Sequence, residues 1–381
     1  MANRFFRLNI FFVFLSVVQL SGCTSMQHAS NVNSDETLIF FNTDAYVDPN
    51  NTNTWIVPIH GWVYEPQDSH WRLGLISQLF DAEYDLQRTD ENRTLFDRRI
   101  NVMLADNKRG KTIKLAIGDR TAFDGTAGGN RTATDRTAIS LPSKPNGHFV
   151  VNVRLSEQEV QSLKNQNFLR YCAVLPLGDN RHICGSARLI PRHGFSVISD
   201  IDDTVKITQV TDHARMFENT FYKPYVAVAG MADLYQRWHN DGVPIHFVSS
   251  SPWHLYAELE YFLHENKFPE SSMSLKYFRF KDSTFFNLFK SGLKTKPFQI
   301  KQILKQYPER KFVLIGDNGE QDPEVYAAMK REHPEQIEKI FIRNFTGEKA
   351  TDARYSRLFG IASAQDFVLF DAPEELPILL R

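Results

Sequence analysis

The chain has 381 residues, of which 42% are hydrophobic and 23% are charged, as is usual for a folded protein. This length is too great for one typical domain and indicates about two or three. The formal net charge is −1, so the chain lacks the overall basic character of a nucleic-acid-binding protein. Aromatic residues make up 13% of the chain. They give weak support for a lipid or apolar partner, and a Phe-rich core is the simpler interpretation.

The N-terminal residues predict a secretory signal that is not part of the fold. Two arginines precede an apolar run from Leu8 to Leu20, which is too short to span a membrane. The run ends in Leu20-Ser21-Gly22-Cys23, which resembles the lipobox of bacterial lipoproteins. That resemblance implies a signal peptide over residues 1–22 and lipidation of Cys23. An ordinary cleaved signal with an incidental cysteine is the alternative.

Residues 23–37 are polar and are expected to form a lipidated tether. Thr24 and Ser25 follow the cysteine without an aspartate, which by resemblance to the lipoprotein sorting pattern favours the outer membrane. No later segment reaches about 18 apolar residues, so we expect a body that is anchored by its lipid alone. The expected location is the bacterial cell envelope, at the outer membrane and facing the periplasm.

Residues 38–190 predict a β-rich domain, and a β-sandwich is the expected architecture. A helix is expected near His70–Leu86, and Ser156 with Glu159 forms the capping box of a second helix. A Gly/Thr-rich stretch at 126–136 is expected to be a surface loop and not a phosphate-binding loop. The strand-like runs, separated by turn residues, are Leu38–Val47, Trp55–Val63, Lys111–Ile117, Ala138–Leu141 and Gly147–Leu155.

Cys172 and Cys184 lie in two further strand-like runs, Phe168–Leu175 and His182–Leu189. The pattern predicts a hairpin in which the two thiols face each other. In an oxidising compartment a disulfide there would stabilise the fold by roughly 3 kcal/mol in the chain-entropy model. Two unpaired core thiols are the alternative.

From residue 193 to residue 381 apolar runs alternate with helical patterns, which predicts an α/β domain with a parallel sheet and crossover helices. The expected strands are Phe195–Ile201, Pro244–Ser249, Ser274–Phe280, Lys311–Gly316, Lys339–Arg343 and Phe367–Phe370. The expected helices are Ala229–His239, Leu255–His264, Phe298–Gln306 and Pro323–Arg331.

Four polar motifs lie at or near the ends of these strands. They are Asp200-Ile201-Asp202-Asp203-Thr204, Ser249-Ser250-Ser251, Lys296 before a helix-starting proline, and Gly316-Asp317 with Asp322. Because open α/β sheets bind ligands at the carboxyl ends of their strands, we expect one shared site. Crowded carboxylates repel one another, which favours a bound cation or a reaction over a mere helix cap.

The order of these motifs resembles that of the haloacid-dehalogenase-like phosphatases over residues 193–372. The resemblance implies a Rossmannoid parallel sheet. Four stretches are similar to the actin-patch-type phosphatidate phosphatase family: Val197–Lys206, Gly230-Met231-Ala232, Ser251-Pro252-Trp253 and Phe312–Asp317. This second resemblance implies magnesium-dependent hydrolysis of phosphatidate or related lipid phosphates. Sugar, nucleotide or protein phosphomonoesters, or a non-catalytic lipid-binding role, are the alternatives.

The resemblance also implies chemical roles for the acidic residues. Asp200 would be the nucleophile that forms an aspartyl-phosphate, and Asp202 the general acid and base. Mg²⁺ would be held by the Asp200 carboxylate, the Asp202 carbonyl and the Asp317 carboxylate, with Asp322 as a further or alternative ligand. The role of Asp203 stays open between orienting a ligand and capping a helix.

The resemblance implies phosphate-binding roles for the remaining motif residues. Ser249 would donate to a phosphoryl oxygen, and Ser250 competes for that role. Lys296, preferred over Lys294 and Lys301 for its spacing to apolar helix positions, would supply a fixed positive charge. Thr204 would hold the loop after the nucleophile.

The surroundings of the site point to an open surface, because no segment is long enough for a large cap domain. An open site suits a large or membrane-embedded substrate. Residues 276–296 mix six basic residues with six aromatic ones, which suits an anionic lipid surface; a solvated loop is the alternative. His246 and His254 lack partners at metal-ligand spacing and are expected to be structural, without zinc.

Overall fold

The computed structural model describes residues 29–67, 73–74, 76–78, 89–118, 136–277, 295–360 and 366–380. The predicted signal peptide, Cys23, nearly all of the Gly/Thr-rich stretch and most of residues 276–296 lie outside these ranges. Within them, no helix combines the length and the apolar character needed to cross a membrane.

The N-terminal region is built on a nine-stranded sheet. Its strands are β1 (Thr37–Phe41), β2 (Thr43–Asp48), β3 (Asn51–Glu65), β4 (Asp106–Asn107), β5 (Lys114–Ile117), β6 (Arg136–Ile139), β7 (His148–Ser156), β8 (Phe168–Ala173) and β9 (Cys184–Ile190). The helices α1 (Asp90–Met103) and α2 (Glu157–Leu163) accompany it.

Strand β3 holds this sheet together. It is 15 residues long and pairs antiparallel with β1, β2, β4 and β7, while β2 continues the sheet by pairing in parallel with β9. The sandwich packing expected from the sequence stays a prediction. The hydrogen bonds join all nine strands into one sheet. The length of β3 is the reason, since a strand this long has room for several partners along both edges. Apolar residues of β3, β5, β7 and β8 share one core.

Local predictions for this region are mostly met. Ser156 caps α2, and Glu159 completes the expected capping box. Strands β8 and β9 form an antiparallel pair in which Cys172 lies opposite Cys184, and a disulfide joins them with a Cα–Cα distance of 4.0 Å. Of the helix expected near residues 70–86, residues 73–74 and 76–78 are helical. Helix α1 was not predicted.

The C-terminal region contains a six-stranded sheet in which every pairing is parallel. Its strands are β10 (Gly194–Ser199), β11 (Ile245–Pro252), β12 (Ser272–Lys276), β13 (Arg310–Asp317), β14 (Ile337–Arg343) and β15 (Phe367–Phe370). Its helices are α3 (His213–Phe221), α4 (Met231–Asn240), α5 (Tyr256–Glu265), α6 (Thr295–Gln306), α7 (Asp322–Glu332) and α8 (Ala353–Phe359). All six predicted strands are present, and α3 and α8 were not predicted.

The strand order is β12-β11-β10-β13-β14-β15. The chain leaves the central strand β10 on one side and later returns to its other side as β13, so the topology switches between these two strands. Ligands of open α/β sheets bind beyond the carboxyl ends of the strands at such a point. Val197 and Ile198 of β10 are fully buried, as expected for a central parallel strand.

A buried polar network connects the two sheets. The Asp44 carboxylate on β2 accepts from Arg188 Nε at 2.9 Å, from His246 Nδ1 at 2.8 Å and from Ser272. Burial raises the pKa of Asp44, but Arg188 and His246 outweigh this and lower it below its usual range. His246 thus has the structural role expected from the sequence, and the two regions share buried contacts.

Candidate active site

Asp200 follows the last residue of β10 and is buried at the switch point of the sheet. Its backbone N–H donates to the Ile315 carbonyl of β13 at 2.9 Å, which continues the pairing of the two strands. One carboxylate oxygen lies 2.9 Å from Lys296 Nζ, and the other lies 3.5 Å from the Thr204 hydroxyl. Thr204 thus contacts the predicted nucleophile itself.

Asp202 lies at the centre of a set of donors. Its Oδ1 accepts from Lys206 Nζ and from the Thr208 hydroxyl, both at 2.7 Å. Its Oδ2 accepts from Ser249 at 3.2 Å and from Ser251 at 3.0 Å. Burial raises the pKa of Asp202, but Lys206 and the hydroxyl donors outweigh this effect and lower the pKa to about 2. The carboxylate is therefore ionised in the resting site.

The structure assigns Asp203 a role that the sequence left open. Its carboxylate accepts the backbone N–H groups of Thr208, Gln209 and Val210 at 2.7–2.8 Å. Its own backbone has a φ of 51°, which is uncommon for a residue other than glycine. Asp203 therefore folds the loop after β10 back on itself, which brings Thr208 to Asp202. It caps no helix, because Asp212 is the N-cap residue of α3.

Lys296 lies in the first turn of α6 and is the lysine that reaches the site. Its Nζ contacts Asp200 Oδ1 at 2.9 Å, Asp322 Oδ1 at 2.6 Å and Glu320 Oε2 at 3.5 Å. Burial lowers the pKa of Lys296, but these carboxylates raise it well above its usual value. The alternative Lys301 is exposed and pairs with Glu332, and Lys294 lies outside the described residues.

The loop after β13 brings two more carboxylates to the site. Asp317 Oδ1 accepts the N–H of Gly319 at 2.7 Å, while its Oδ2 is buried without a hydrogen-bond partner among the described residues. Asp322, the first residue of α7, is buried beside it. A Cβ atom at Gly316 would clash with the Asp322 carboxylate, so only glycine allows this close approach.

The three carboxylates fit a divalent cation. One oxygen each of Asp200, Asp317 and Asp322 lies within 4.8 Å of the others, and carboxylate oxygens are preferred ligands of hard cations. Burial raises the pKa of Asp200 and of Asp317 well above the usual value, and neighbouring carboxylates add to this against the opposing effect of Lys296. A cation would relieve this crowding and give the unpartnered Asp317 Oδ2 a partner.

The two serines that compete for the phosphate-binding role differ in their partners. The hydroxyl of Ser249 is buried, donates to Asp202 and accepts the N–H of Ser251 at 2.9 Å. The hydroxyl of Ser250 is buried without a hydrogen-bond partner among the residues that the structure describes, and Ser250 lines the pocket. Ser250 is therefore the serine with a free donor.

A pocket of about 50 Å³ opens beside Asp200 and Asp202. Its lining includes both polar and apolar side chains. The lining residues are Asp200, Asp202, Thr208, Val210, Met216, Thr220, Ser250, Ser251, Pro252, Leu255 and Glu320.

Sequence reasoning missed Lys206, Thr208, Ser251 and Glu320 as parts of the site. Lys206 lies four residues after Asp202, a spacing that brings side chains together on a helix. Here a turn organised by Asp203 does this in a loop, so helical periodicity gave no signal. Ser251 is the last residue of the serine motif, and Glu320 lies between Asp317 and Asp322. The contacts of both side chains depend on the fold of each loop.

A parallel α/β domain with clustered carboxylates, a buried lysine and hydroxyl donors at its switch point is typical of phosphoryl-transfer enzymes. Residues 195–344 match the family model described as phosphatidate phosphatase APP1, catalytic domain. Residues 195–344 thus match the catalytic domain of the APP1-type phosphatidate phosphatase family, which confirms the family expected from the motifs.

Two yeast proteins are similar to this part of the chain. An uncharacterized protein of Schizosaccharomyces pombe is 38% identical over 160 residues, which cover 41% of this chain and 26% of that protein. Phosphatidate phosphatase APP1 of Saccharomyces cerevisiae is 34% identical over 171 residues, covering 41% of this chain and 27% of that protein. The matches thus span about a quarter of either relative.

Among solved structures, a class C acid phosphatase from Bacillus anthracis shows a weak likeness. Its TM-score is 0.24 at 15% sequence identity, and the match covers 38% of this chain and 64% of that one. A likeness of this size carries no argument about the site.

Proposed function

We propose that this chain is a magnesium-dependent phosphatase that hydrolyses phosphatidate-like lipid phosphomonoesters through an aspartyl-phosphate on Asp200. Its C-terminal domain has, on this proposal, a haloacid-dehalogenase-like fold. The observation that carries the proposal is the convergence of Asp200, Asp202, Lys296, Asp317 and Asp322 at one sheet edge. The family of residues 195–344 supports the same chemistry.

In the first step a carboxylate oxygen of Asp200 attacks phosphorus while the bond from phosphorus to the alcohol oxygen breaks. Lys296, 2.9 Å from Asp200, favours the ionised form of the nucleophile and balances the charge that develops on the phosphoryl group. When bound, Mg²⁺ would supply further positive charge to the phosphoryl oxygens. Asp200, Asp317 and the Asp202 carbonyl would hold it, with Asp322 beside them.

Asp202 handles the proton in both steps. It is ionised in the resting site, so it must take up a proton before it can protonate the leaving alkoxide. A negatively charged phosphoryl group beside it disfavours the ionised form and raises its pKa, which favours this uptake. In the second step the carboxylate removes a proton from the water that hydrolyses the aspartyl-phosphate.

Two serines and a threonine complete the proposed phosphate site. The unpartnered hydroxyl of Ser250 is the better donor to a phosphoryl oxygen, since that of Ser249 already donates to Asp202. Thr204 contacts Asp200 and orients the nucleophile.

Three features support a lipid substrate at a membrane surface. The lipobox ending in Cys23 would anchor the chain to the outer membrane, facing the periplasm. The basic and aromatic segment 276–296 would contact anionic headgroups. On either side of the undescribed part of that segment, Tyr277 and Phe298 expose 54% and 63% of their surface.

Phosphate release separates this proposal from the other substrate classes. We expect the protein to release phosphate from vesicles of phosphatidate in phosphatidylcholine when Mg²⁺ is present, and not in EDTA. Sugar phosphates, nucleotides and phosphopeptides at equal phosphate concentration should react much more slowly. Faster release from one of those substrates than from vesicles would overturn the lipid assignment, and undiminished release in EDTA would overturn the metal requirement.

A further inference from the structure

The active-site pocket has an apolar part of its lining that the phosphate chemistry does not use. Val210, Met216, Pro252 and Leu255 line it next to Asp200 and Asp202. The pocket has a volume of about 50 Å³ and opens to solvent. Its apolar residues are suited to contact the carbon atoms next to the ester oxygen.

Helix α3 supplies part of the pocket lining through Met216 and Thr220, and the N-terminal region contacts the carboxyl end of α3. Phe96 of α1 is fully buried and stacks on Tyr222 just after α3, with 4.6 Å between the ring centroids. The domain that contains the catalytic aspartates therefore does not fix its own pocket alone.

Arg99 of α1 makes the polar part of this contact. Its Nη1 donates to the carbonyls of Thr220 at 2.9 Å and Lys223 at 2.7 Å, and its side chain is only 3% exposed. The last carbonyls of a helix have no partner within the helix, and a cation there is favourable. Arg99 thus caps the carboxyl end of α3 from another part of the chain, with Glu258 at 3.1 Å balancing its charge.

The same guanidinium reaches towards the acid/base residue. It lies 4.0 Å from the centroid of the Tyr225 ring, and Lys206 Nζ lies 4.8 Å from that same centroid. Lys206 in turn pairs with Asp202 at 2.7 Å. Tyr225 therefore links the cation from the N-terminal region to the ion pair in the active site.

We propose that the apolar lining residues of the pocket bind the alcohol portion of the substrate, and that Arg99 is a positioning residue that holds the α3 part of this lining in place. The inference rests on the proposed phosphatase function. It makes the β-rich region part of the substrate-binding unit.

The test compares Arg99→Met with Arg98→Met, a matched control. Arg98 also binds Glu258, at 2.8 Å, but is 55% exposed. With short-chain phosphatidate we expect Arg99→Met to raise KM about tenfold, as for a lost charge-assisted hydrogen bond. Inhibition by inorganic phosphate, which lacks the alcohol portion, should stay within about twofold of the original. Arg98→Met should change neither value.

A KM that stays unchanged in Arg99→Met would overturn the proposal, and so would equal losses of substrate and phosphate binding. Amide hydrogen exchange gives a second result that needs no activity. Exchange in residues 213–221 should become faster in Arg99→Met and not in Arg98→Met, and equal exchange in the two variants would contradict the role of Arg99. If the original protein hydrolyses no phosphomonoester, the proposed function fails, while the exchange result still decides whether Arg99 holds α3.

Discussion

Lys296 Nζ and Asp200 Oδ1 lie 2.9 Å apart, and both side chains are buried. Lys296 lies in the first turn of helix α6 and Asp200 follows strand β10, so only the folded sheet brings them together. A buried lysine at this distance from a nucleophilic carboxylate favours its ionised form.

Replacing this lysine should remove most activity. For Lys296→Met we expect kcat to fall by about a hundredfold to a thousandfold, as when one preorganised transition-state donor is lost. Phosphate release under saturating substrate measures this. Lys301→Met is the control, because Lys301 lies on the same helix, is exposed and pairs with Glu332. A Lys296→Met protein with normal kcat would rule out the electrostatic role.

Asp202 and Asp203 should respond differently to loss of charge. Asp202→Asn should lose activity while keeping its unfolding midpoint near that of the original. Asp203→Asn should destabilise the fold by about 1–3 kcal/mol, because its buried carboxylate accepts three backbone N–H groups. Urea denaturation followed by circular dichroism checks both, and the reverse pattern would exchange the two assigned roles.

The loop with Asp317 should depend on an arginine beyond the matched family region. Arg354 of α8 donates to the carbonyls of Asn318 at 2.9 Å and Glu320 at 2.8 Å. Arg354→Met should therefore raise the Mg²⁺ concentration needed for half-maximal activity by about tenfold, as for loss of such charge-assisted bonds. Arg357→Met, an exposed change on the same helix, is the control. An unchanged Mg²⁺ requirement would show that Arg354 does not position the metal loop.

Two buried histidines should make the fold sensitive to mild acid. The His60 and His148 rings are 3.0 Å apart, and burial lowers their pKa values to about 3 and about 2, helped by the charge of Lys144. Because the unfolded pKa is higher, the unfolded chain binds more protons below about pH 6.5. The free energy of unfolding should therefore fall as the pH drops from 7 to 5.

Denaturant titrations at several pH values measure this effect. For each histidine the slope approaches about 1.4 kcal/mol per pH unit well below pH 6.5. In His60→Gln the slope should be shallower. A stability that does not change between pH 7 and 5 would contradict the buried, uncharged pair.

The sequence predicted the C-terminal sheet well because its signals are local. Strands such as β10 and β13 are short apolar runs that end in acidic motifs, and parallel order places those motifs on one edge. Lys296 was chosen from its spacing to Ile300 and Leu304, and all three side chains are buried on α6.

The rest could not be predicted because it depends on contacts between distant segments. Nothing near Arg99 in the sequence indicates that it caps α3, since its acceptors are carbonyls of a different domain. The choice between Ser249 and Ser250 depends on which of the two hydroxyls donates to Asp202. The single N-terminal sheet depends on the four partners of β3, which no local pattern shows.

The most direct test of the central claim compares phosphate release by Asp200→Asn with that by the control Asp241→Asn. Both are measured with phosphatidate vesicles and Mg²⁺. Asp241 is an exposed aspartate near Gly194 and Arg310, at the amino ends of the strands and therefore away from the site. We predict that Asp200→Asn stays folded and loses at least about a thousandfold in rate, as when a covalent nucleophile is removed. Asp241→Asn should keep full activity. A folded Asp200→Asn protein that still releases phosphate at the original rate would contradict the nucleophilic role of Asp200.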